Sequence, residues 1–344
     1  MQKPVLVIKL GSAVISGNDG TINVSLIRKL VGEVVALSTH YHIVMVSSGA
    51  VGSGKAFIKN YKGTLIERKA AAAIGNPILI RLYDKYFSKH GINVAQALCE
   101  RHHFSNRVQF LQLKETFHEF WKHHIIPVVN ENDLVSNVEL KFSDNDELAT
   151  LVAVGLDAET LIICTSVGGF MDDNHQIIPI VENINQDLMR FVRTDKSSLG
   201  LGGMLSKLTF TRLAASLGIR VIMCGLKEES ALKKALAGKS GTTFIAKKSN
   251  LKARQKWLAS GSITLGSIEV DKGAAKALHN RKSLLTVGIK NVNGLFAPGE
   301  VVQVMNDEKE ILGVAKVKIA SAEIISSLEQ KNIVAAHADD IVIF

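Results

Sequence analysis

Two stretches of this chain carry residues that could handle a phosphoryl group. The first is Ser198–Lys207, SLGLGGMLSK, with glycines at 200, 202 and 203 and a lysine four residues after the last of them. Glycines let backbone N–H groups turn toward an anion and approach it closely. A helix-like run, Leu208–Leu217, follows. Four unpaired N–H groups and the positive end of a helix dipole would then stand behind the loop, with Lys207 near the helix start and in reach of a terminal phosphate. A flexible linker holding a lysine is the other reading of this string. The second stretch is Val5–Leu10, an apolar run broken only by Lys9 and ended by Gly11-Ser12. A lysine in a buried strand is costly unless it meets an anion, or snorkels out of an edge. Lys9 stands at the strand's carboxyl end beside a glycine turn, where ligands bind in open α/β sheets, and this favours the anion.

A third set of residues suits an amino acid. IIPVVNENDLV (125–135) reads as a strand ending in a polar cluster, and SDNDELATLVAV places Asp144, Asn145 and Asp146 at the opening of an apolar helix. Asp144 fits a helix N-cap. Together the two clusters supply carboxylates for an α-ammonium and amides for a carboxylate. The run VSSGAVGSGK imitates a P-loop, since Gly49–Lys55 fits G-x-x-x-x-G-K after a strand. Ala56, however, stands where a P-loop needs Ser or Thr for Mg²⁺, and the apolar strand LIICTS ends in Ser166 instead of the required Asp. Ser47, Ser48 and Gly49 read better as a turn that grips a small anionic substrate. Five histidines between Arg101 and His124 lack paired zinc spacing and read as a solvated helix face.

The elements that must hold these groups alternate. Helix periodicity covers Val24–Ser38, strands follow at His42–Val46 and Ile92–Leu98, and Leu161–Cys164 leads into Thr165-Ser166 and the turn Gly168-Gly169. Between them lie an Ala-rich helix over Lys69–Ile74 and a second helix from about Pro77 to Lys89. Phe170–Ser197 offers no chemistry. A strand at Arg220–Cys224 and a helix at Glu228–Leu236 come after the glycine-rich stretch. This alternation predicts a mainly parallel sheet with helices on both faces. The last 80 or so residues differ: short β-like runs separated by NVNG, APGE and MNDEKE predict a small, mostly β barrel or sandwich.

Bulk properties set the frame. A chain of 344 residues, 47% hydrophobic and 21% charged, is that of an ordinary globular protein with two domains of unequal size. The apolar run in MQKPVLVIKL is too short for a signal core or a spanning helix. Cys99, Cys164 and Cys224, odd in number and without short spacings, argue for a reducing cytosol over a disulfide frame or a zinc site. Net charge is +9, yet residues 262–344 hold 9 Lys plus Arg against 10 Asp plus Glu. The basic excess belongs to the larger region and to the run Ala246–Lys256, which argues against nucleic acid as the ligand of the C-terminal part.

VIKLGSAVI, VSSGAVGSG, IPVVNENDLV, SDNDELA and LGLGGMLSK occur in this order over about residues 5–257, and with them the chain resembles the amino-acid kinase family. Within it the likeness is to the branch that phosphorylates the side-chain carboxylate of L-glutamate, the first step of proline biosynthesis. The C-terminal region resembles a PUA domain. The resemblance implies an α/β catalytic domain over 1–257, a mainly parallel open sheet sandwiched by helices, and a small mostly β PUA-like domain over 262–344. It implies ATP and Mg²⁺, the metal being held mainly by the phosphates. Lys9 and Lys207 would neutralise the migrating phosphoryl from two sides, and Asp146 would orient both. Ser48, Asp133 and Asn145 would bind glutamate. Gly11, Gly202 and Gly203 would donate N–H groups, while Thr165, Ser166 and the loop Leu201, Gly202, Gly203, Met204, Leu205, Ser206, Lys207 would hold the nucleotide. It further implies a cytoplasmic homo-oligomer (dimer or tetramer), proline as feedback inhibitor near the glutamate site, and a glutamyl phosphate reductase downstream. Two positions depart from the family's habit: Ser166 replaces a common Asp, and Leu201 a common Thr, removing a charge and a hydroxyl near the nucleotide. The rivals are a sister kinase acting on N-acetylglutamate, aspartate, carbamate or UMP, and an RNA-binding protein acting through the PUA-like domain.

Overall fold

The computed structural model describes residues 3–17, 21–105, 107–135, 144–184, 188, 204–247, 264–328, 330 and 333–343. The chain divides into two compact units, Met1–His103 with Val108–Ser249, and Phe104–Arg107 with Asn250–Phe344. Up to residue 247 the elements are β1 (Val5–Leu10), α1 (Ser12–Ile15), α2 (Val24–Ser38), β2 (His42–Ser47), α3 (Ala50–Gly54), α4 (Leu65–Phe87), β3 (Asn93–Cys99), α5 (Arg101–Ser105), α6 (Arg107–Lys122) and β4 (Ile125–Glu131). Then come α7 (Asn145–Gly155), β5 (Thr160–Cys164), β6 (Ile180–Val181), α8 (Met204–Ser216), β7 (Arg220–Cys224), α9 (Ala231–Leu236) and β8 (Thr242–Phe244).

The eight strands form one sheet in the order β3-β4-β2-β1-β5-β7-β8-β6. All neighbours pair in parallel except β7 and β8. β1 lies between β2 and β5 and is buried along its whole length, which is why its sequence is an apolar run broken only by Lys9. Its alternate residues Leu6, Ile8 and Leu10 join Ile27, Leu30 and Val34 of α2 and Leu79, Tyr83 and Phe87 of α4 in one core. Strand alternation therefore sends Lys9 to the opposite face, where α7 lies. Because β1 and β2 lead one way from the centre of the sheet and β5 the other, the carboxyl ends of β1, β2, β4 and β5 border a switch point.

One helix differs from the sequence reading. α4 runs unbroken for 23 residues through Pro77, where the sequence reads as two helices. Proline costs a helix one hydrogen bond and crowds the preceding turn. A capping box between Thr64 and Glu67 fixes the start of α4, and burial of Leu79, Tyr83 and Phe87 beyond the proline offsets that cost. α3 packs against α4 so closely that a Cβ on Gly54 would lie 1.9 Å from Ala71 O, and one on Gly75 1.8 Å from Ala50 O.

The second unit holds β9 (Thr264–Val270), α10 (Lys272–His279), β10 (Leu284–Leu285), β11 (Ile289–Asn293), β12 (Val301–Met305), β13 (Ile311–Lys316), α11 (Ser321–Ser326), β14 (Val334–Ala336) and β15 (Ile341–Ile343). A five-stranded sheet, β11-β9-β12-β13-β15, and the pair β10-β14 enclose its own core of Ile268, Val270, Val302, Val304, Ala315 and Ile324. This is the small, mostly β unit that the turn pattern predicts. Among the described residues no helix is long and apolar enough to cross a membrane.

Candidate active site

Lys9 is 4% exposed and lies between Val46 of β2 and Ile163 of β5 in register. It is tolerable there because Asp146, fully buried in the first turn of α7, brings Oδ1 to 2.6 Å from its Nζ. Asp146 Oδ2 lies 3.1 Å from Nζ of Lys207, in the first turn of α8. One carboxylate thus faces two ammonium groups from two different elements. The cluster keeps a net positive charge in a mostly buried place, and an anion would offset its cost. Gly11 sits beside it: an added Cβ would lie 3.8 Å from Lys9 Nζ and 3.4 Å from Cys164 O.

Asp144 places this cluster. As N-cap of α7 its Oδ1 accepts N–H of Asp146 at 2.8 Å and of Glu147 at 3.1 Å, as the sequence predicts. Its Oδ2 has a second partner that the sequence does not announce, the Ser206 hydroxyl at 2.7 Å. One side chain therefore ties the start of α7 to the turn of α8 that carries Lys207. Glu147, next along α7, is buried and paired with Arg101 of α5.

On the other side of Asp146 lies a set of amides and hydroxyls. Asn145 Nδ2 donates to Ser48 Oγ at 2.9 Å and to Asn130 Oδ1 at 3.0 Å. Asn130 Nδ2 donates to Asn76 Oδ1 of α4 at 2.9 Å. Ser47 shares a hydrogen bond of 2.8 Å with Tyr83 of α4, whose hydroxyl is pushed well above its usual pKa by burial. Gly49 then turns the chain with φ +100°, where a Cβ would also strike Ile15 Cδ1 at 2.7 Å. Asp133 sits half-buried in the turn after β4. The neighbouring Asn132 is pinned by its N–H to Cys99 O at 2.9 Å and by its amide to Glu100 at 3.0 Å.

Beyond β5, Thr165 gives its N–H to Cys224 O at 2.8 Å, and its hydroxyl oxygen accepts Gly168 N–H at 3.1 Å. Its side chain thus shapes the turn that follows. Ser166 is exposed and lines a cleft of about 500 Å³ with Gly168, Ile177, Pro179, Lys227 and Ala231. Ile177 and Pro179 belong to the segment in which the sequence shows no chemistry. The floor of this cleft includes the start of α9, whose Ala231 and Leu232 N–H groups are capped by Glu33 of α2 at 3.1 and 2.8 Å.

The structure thus brings Lys9, Lys207 and Asp146 together, joins Ser48 to Asn145, and sets Gly11 beside Lys9. Ser166 lines the cleft and Thr165, buried, shapes the turn beside it, Met204 and Ser206 lie on the first turn of α8, and Asp133 follows β4. Leu201, Gly202 and Gly203, and the side chain of Leu205, lie outside the described residues. Asn76, Asn130, Tyr83 and Glu33 are residues that sequence reasoning does not single out. Only Asn130 carries a signal, its place in the polar cluster at the end of β4.

Comparison with known proteins defines the class first. The model of the amino acid kinase family matches residues 4–225, and that of the PUA domain residues 266–336. The chain belongs to the amino acid kinase family and carries a PUA domain. Over 324 residues it is 40% identical to a protein of Aquifex aeolicus named glutamate 5-kinase, covering 93% of this chain and 90% of that one. It is 36% identical over 323 residues to the glutamate 5-kinase of Kosmotoga olearia (92% and 89%) and 34% over 322 residues to that of Thermotoga maritima (93% and 90%). Among solved structures, carbamate kinase from Giardia lamblia bound to AMP-PNP superposes with a TM-score of 0.52 at 18% identity, covering 71% of this chain and 99% of that one. That likeness concerns the fold alone.

Proposed function

We propose that the chain transfers the γ-phosphoryl group of ATP to the side-chain carboxylate of L-glutamate, giving L-glutamyl 5-phosphate and ADP, the first step of proline biosynthesis. The observation that carries this reading is Asp146 holding Lys9 and Lys207 on its two oxygens, beside the Ser48–Asn145 pair. Relatives at 34–40% identity over about nine-tenths of the chain bear the matching name.

A carboxylate is ionised at neutral pH and needs no general base. A carboxylate oxygen of glutamate forms the bond to the γ-phosphorus, and the bond to the bridging oxygen breaks, leaving ADP. Charge in such a transfer sits on the peripheral oxygens, so positioned cations supply the catalysis. Lys9 and Lys207, kept apart by one carboxylate, meet those oxygens from two sides. Ser48, Asn145 and Asp133 hold glutamate; Gly11, Thr165, Ser166 and the loop 201–207 hold ATP, with its base end toward the cleft beside Ser166. Both Asp146 oxygens already face ammonium groups, a donor set that suits a phosphate better than a direct metal bond. Mg²⁺ would ride on the ATP phosphates with its waters, lending them further positive charge. Residues 1–257 form the catalytic domain and 262–344 the PUA-like domain in this reading. It brings with it a cytoplasmic location, assembly as a dimer or tetramer, feedback inhibition by L-proline near the glutamate site, and hand-over of the labile acyl phosphate to a glutamyl phosphate reductase.

The test is ADP release by the purified protein with ATP and Mg²⁺, with hydroxylamine present to trap an acyl phosphate. L-Glutamate, L-aspartate, N-acetyl-L-glutamate, carbamate and UMP are compared. Glutamate-dependent ADP with matching hydroxamate is expected; faster turnover of another acceptor overturns the substrate assignment.

A further inference from the structure

Three asparagines from three separate elements form a chain whose direction is forced. The fixed point is a backbone group: Glu131 N–H can only donate, and it meets Asn130 Oδ1 at 2.9 Å. Asn130 must therefore turn its oxygen that way and its Nδ2 toward Asn76, which must answer with Oδ1, at 2.9 Å. Asn130 Oδ1 also lies 3.0 Å from the Asn145 amide, so Asn145 must present Nδ2 inward. The two protons on that nitrogen go to its two nearer acceptors, Asn130 Oδ1 and, at 2.9 Å, Ser48 Oγ, with Ser47 O farther off at 3.4 Å. Two consequences follow for the cleft. Ser48, having accepted, keeps its own proton to donate. Asn145 Oδ1, which accepts nothing from the described residues, is left as an outward acceptor. A donor beside an acceptor is the polarity that reads a zwitterion: carboxylate on Ser48, ammonium on Asn145.

We propose that Asn76 is a positioning residue that braces this polarity, which Glu131 N–H sets, and with it the preference for a free α-ammonium over an N-acylated one. This rests on the glutamate reading given above. Asn76 touches no substrate. It is 7% exposed and sits in the middle of α4, and its oxygen accepts from the Asn130 amide nitrogen, holding the second end of that side chain. Without it Asn130 Oδ1 keeps Glu131 N–H and the Asn145 amide, but Asn130 Nδ2 loses its acceptor and the side chain can swing; a turned Asn145 would point its NH₂ at the substrate's ammonium.

The experiment compares wild type, Asn76→Leu and Asn76→Asp in the hydroxamate assay, with L-glutamate and N-acetyl-L-glutamate as acceptors and ATP varied separately. Asn76→Leu removes the acceptor; Asn76→Asp keeps an oxygen facing Asn130. For Asn76→Leu the expected result is a KM for glutamate raised about tenfold or more, by loss of a buried hydrogen bond. Its ratio of kcat/KM for glutamate over N-acetyl-L-glutamate falls by a like factor, while kcat and the KM for ATP stay within about threefold. Asn76→Asp restores the ratio toward wild type. If Asn76→Leu folds poorly, Asn76→Ala empties the same place without bulk and should show the same split. A purely structural role would lower the melting temperature and leave the ratio alone. An unchanged ratio in the Leu or Ala variant, or equal loss in Asn76→Asp, overturns the inference. Turnover of glutamate by the wild type decides the underlying reading separately.

Discussion

Gly75→Ala is a methyl-sized change, buried away from every phosphoryl-handling residue, and it should damage glutamate binding. The new Cβ would lie 1.8 Å from Ala50 O and 2.9 Å from Gly54 N. Real Cβ atoms essentially never approach within 3.0 Å, so α3 and α4 must part by about 1.2 Å, the shortfall between those two distances. If α3 gives way it takes along Ser48, two residues before its first turn, and the 2.9 Å contact to Asn145 lengthens to about 4 Å, past hydrogen-bond range. If α4 gives way it takes Asn76 from Asn130, also at 2.9 Å. Either way one bond of the same relay is lost. Overpacking of this kind costs about 1–3 kcal/mol, offset in part by the better helix propensity of alanine, about 0.5–1 kcal/mol. A misplacement near 1 Å costs about 100-fold in turnover efficiency. The assay is kcat and KM for glutamate and for ATP, with thermal melting alongside. The expected outcome is a melting temperature lowered by several degrees, with kcat/KM for glutamate down by about two decades and the KM for ATP near wild type. Gly32→Ala is the control: nothing lies within 4 Å of its Cβ on the exposed side of α2, so it should add about 0.5–1 kcal/mol of stability and leave the kinetics alone. A folded Gly75→Ala protein with wild-type kinetics for glutamate would refute the coupling of the α3–α4 contact to the site.

Lys207→Ala should lower kcat about 10²- to 10³-fold, by analogy with loss of one charge-stabilising donor, while circular dichroism shows an intact fold; near-normal turnover removes Lys207 from the mechanism. Glu33→Ala uncaps Ala231 and Leu232 N–H in trans. It should cost about 1 kcal/mol in urea unfolding and raise the KM for ATP more than that for glutamate, because α9 borders the cleft. Stability should also fall on the acid side of neutrality. His42, His103 and His118 are all pushed below the ordinary histidine value of 6.5, in each case mainly by burial; Lys3 adds to this for His42, His102 for His103, and Lys114 for His118. A group with a lowered folded pKa gives its full stability above the unfolded value and loses it as pH falls below about 6.5, since the unfolded chain then binds the proton first. Melting temperatures at pH 7.5 and 5.5 should show the drop, and His42→Gln should make it shallower; a flat profile in the wild type counts against burial of these rings.

Much of the catalytic unit was legible in the sequence because its signals are local. Buried parallel strands read as apolar runs, as Val5–Leu10 and Arg220–Cys224 do. A lysine in such a run demands an anion wherever it folds. Asp144 reads as a cap from its own neighbours, but its bond to Ser206, 62 residues on, has no local trace. The same holds for Asn76, whose partner is 54 residues away, and for Glu33, which caps a helix start 198 residues away. In the sequence Asn76-Pro77 is even a misleading signal, because it reads as a break. α4 stays whole only through side chains beyond the proline that pack on α2 and β1. Polar residues with distant partners serve this site from the second layer, and spacing alone cannot pair them.

These supports fall into two groups that share no side chain. α3 and α4 prop Ser48, Asn130 and Asn145 on the acceptor side; α2 and α9 shape the cleft beyond β5. The groups meet at Asp144 and Asp146, on which α7 joins Lys9 to Lys207. Perturbations within one group should therefore be non-additive, and perturbations across the two should add. Gly75→Ala and Asn76→Leu break the same relay, so the double variant should lose little more in kcat/KM for glutamate than the worse single variant. Gly75→Ala with Glu33→Ala should lose the sum of the two, in logarithms, with the glutamate and ATP effects kept apart. Strong coupling across the groups would mean that α2, which packs against both α4 and α9, transmits strain between them, and the division proposed here would fall.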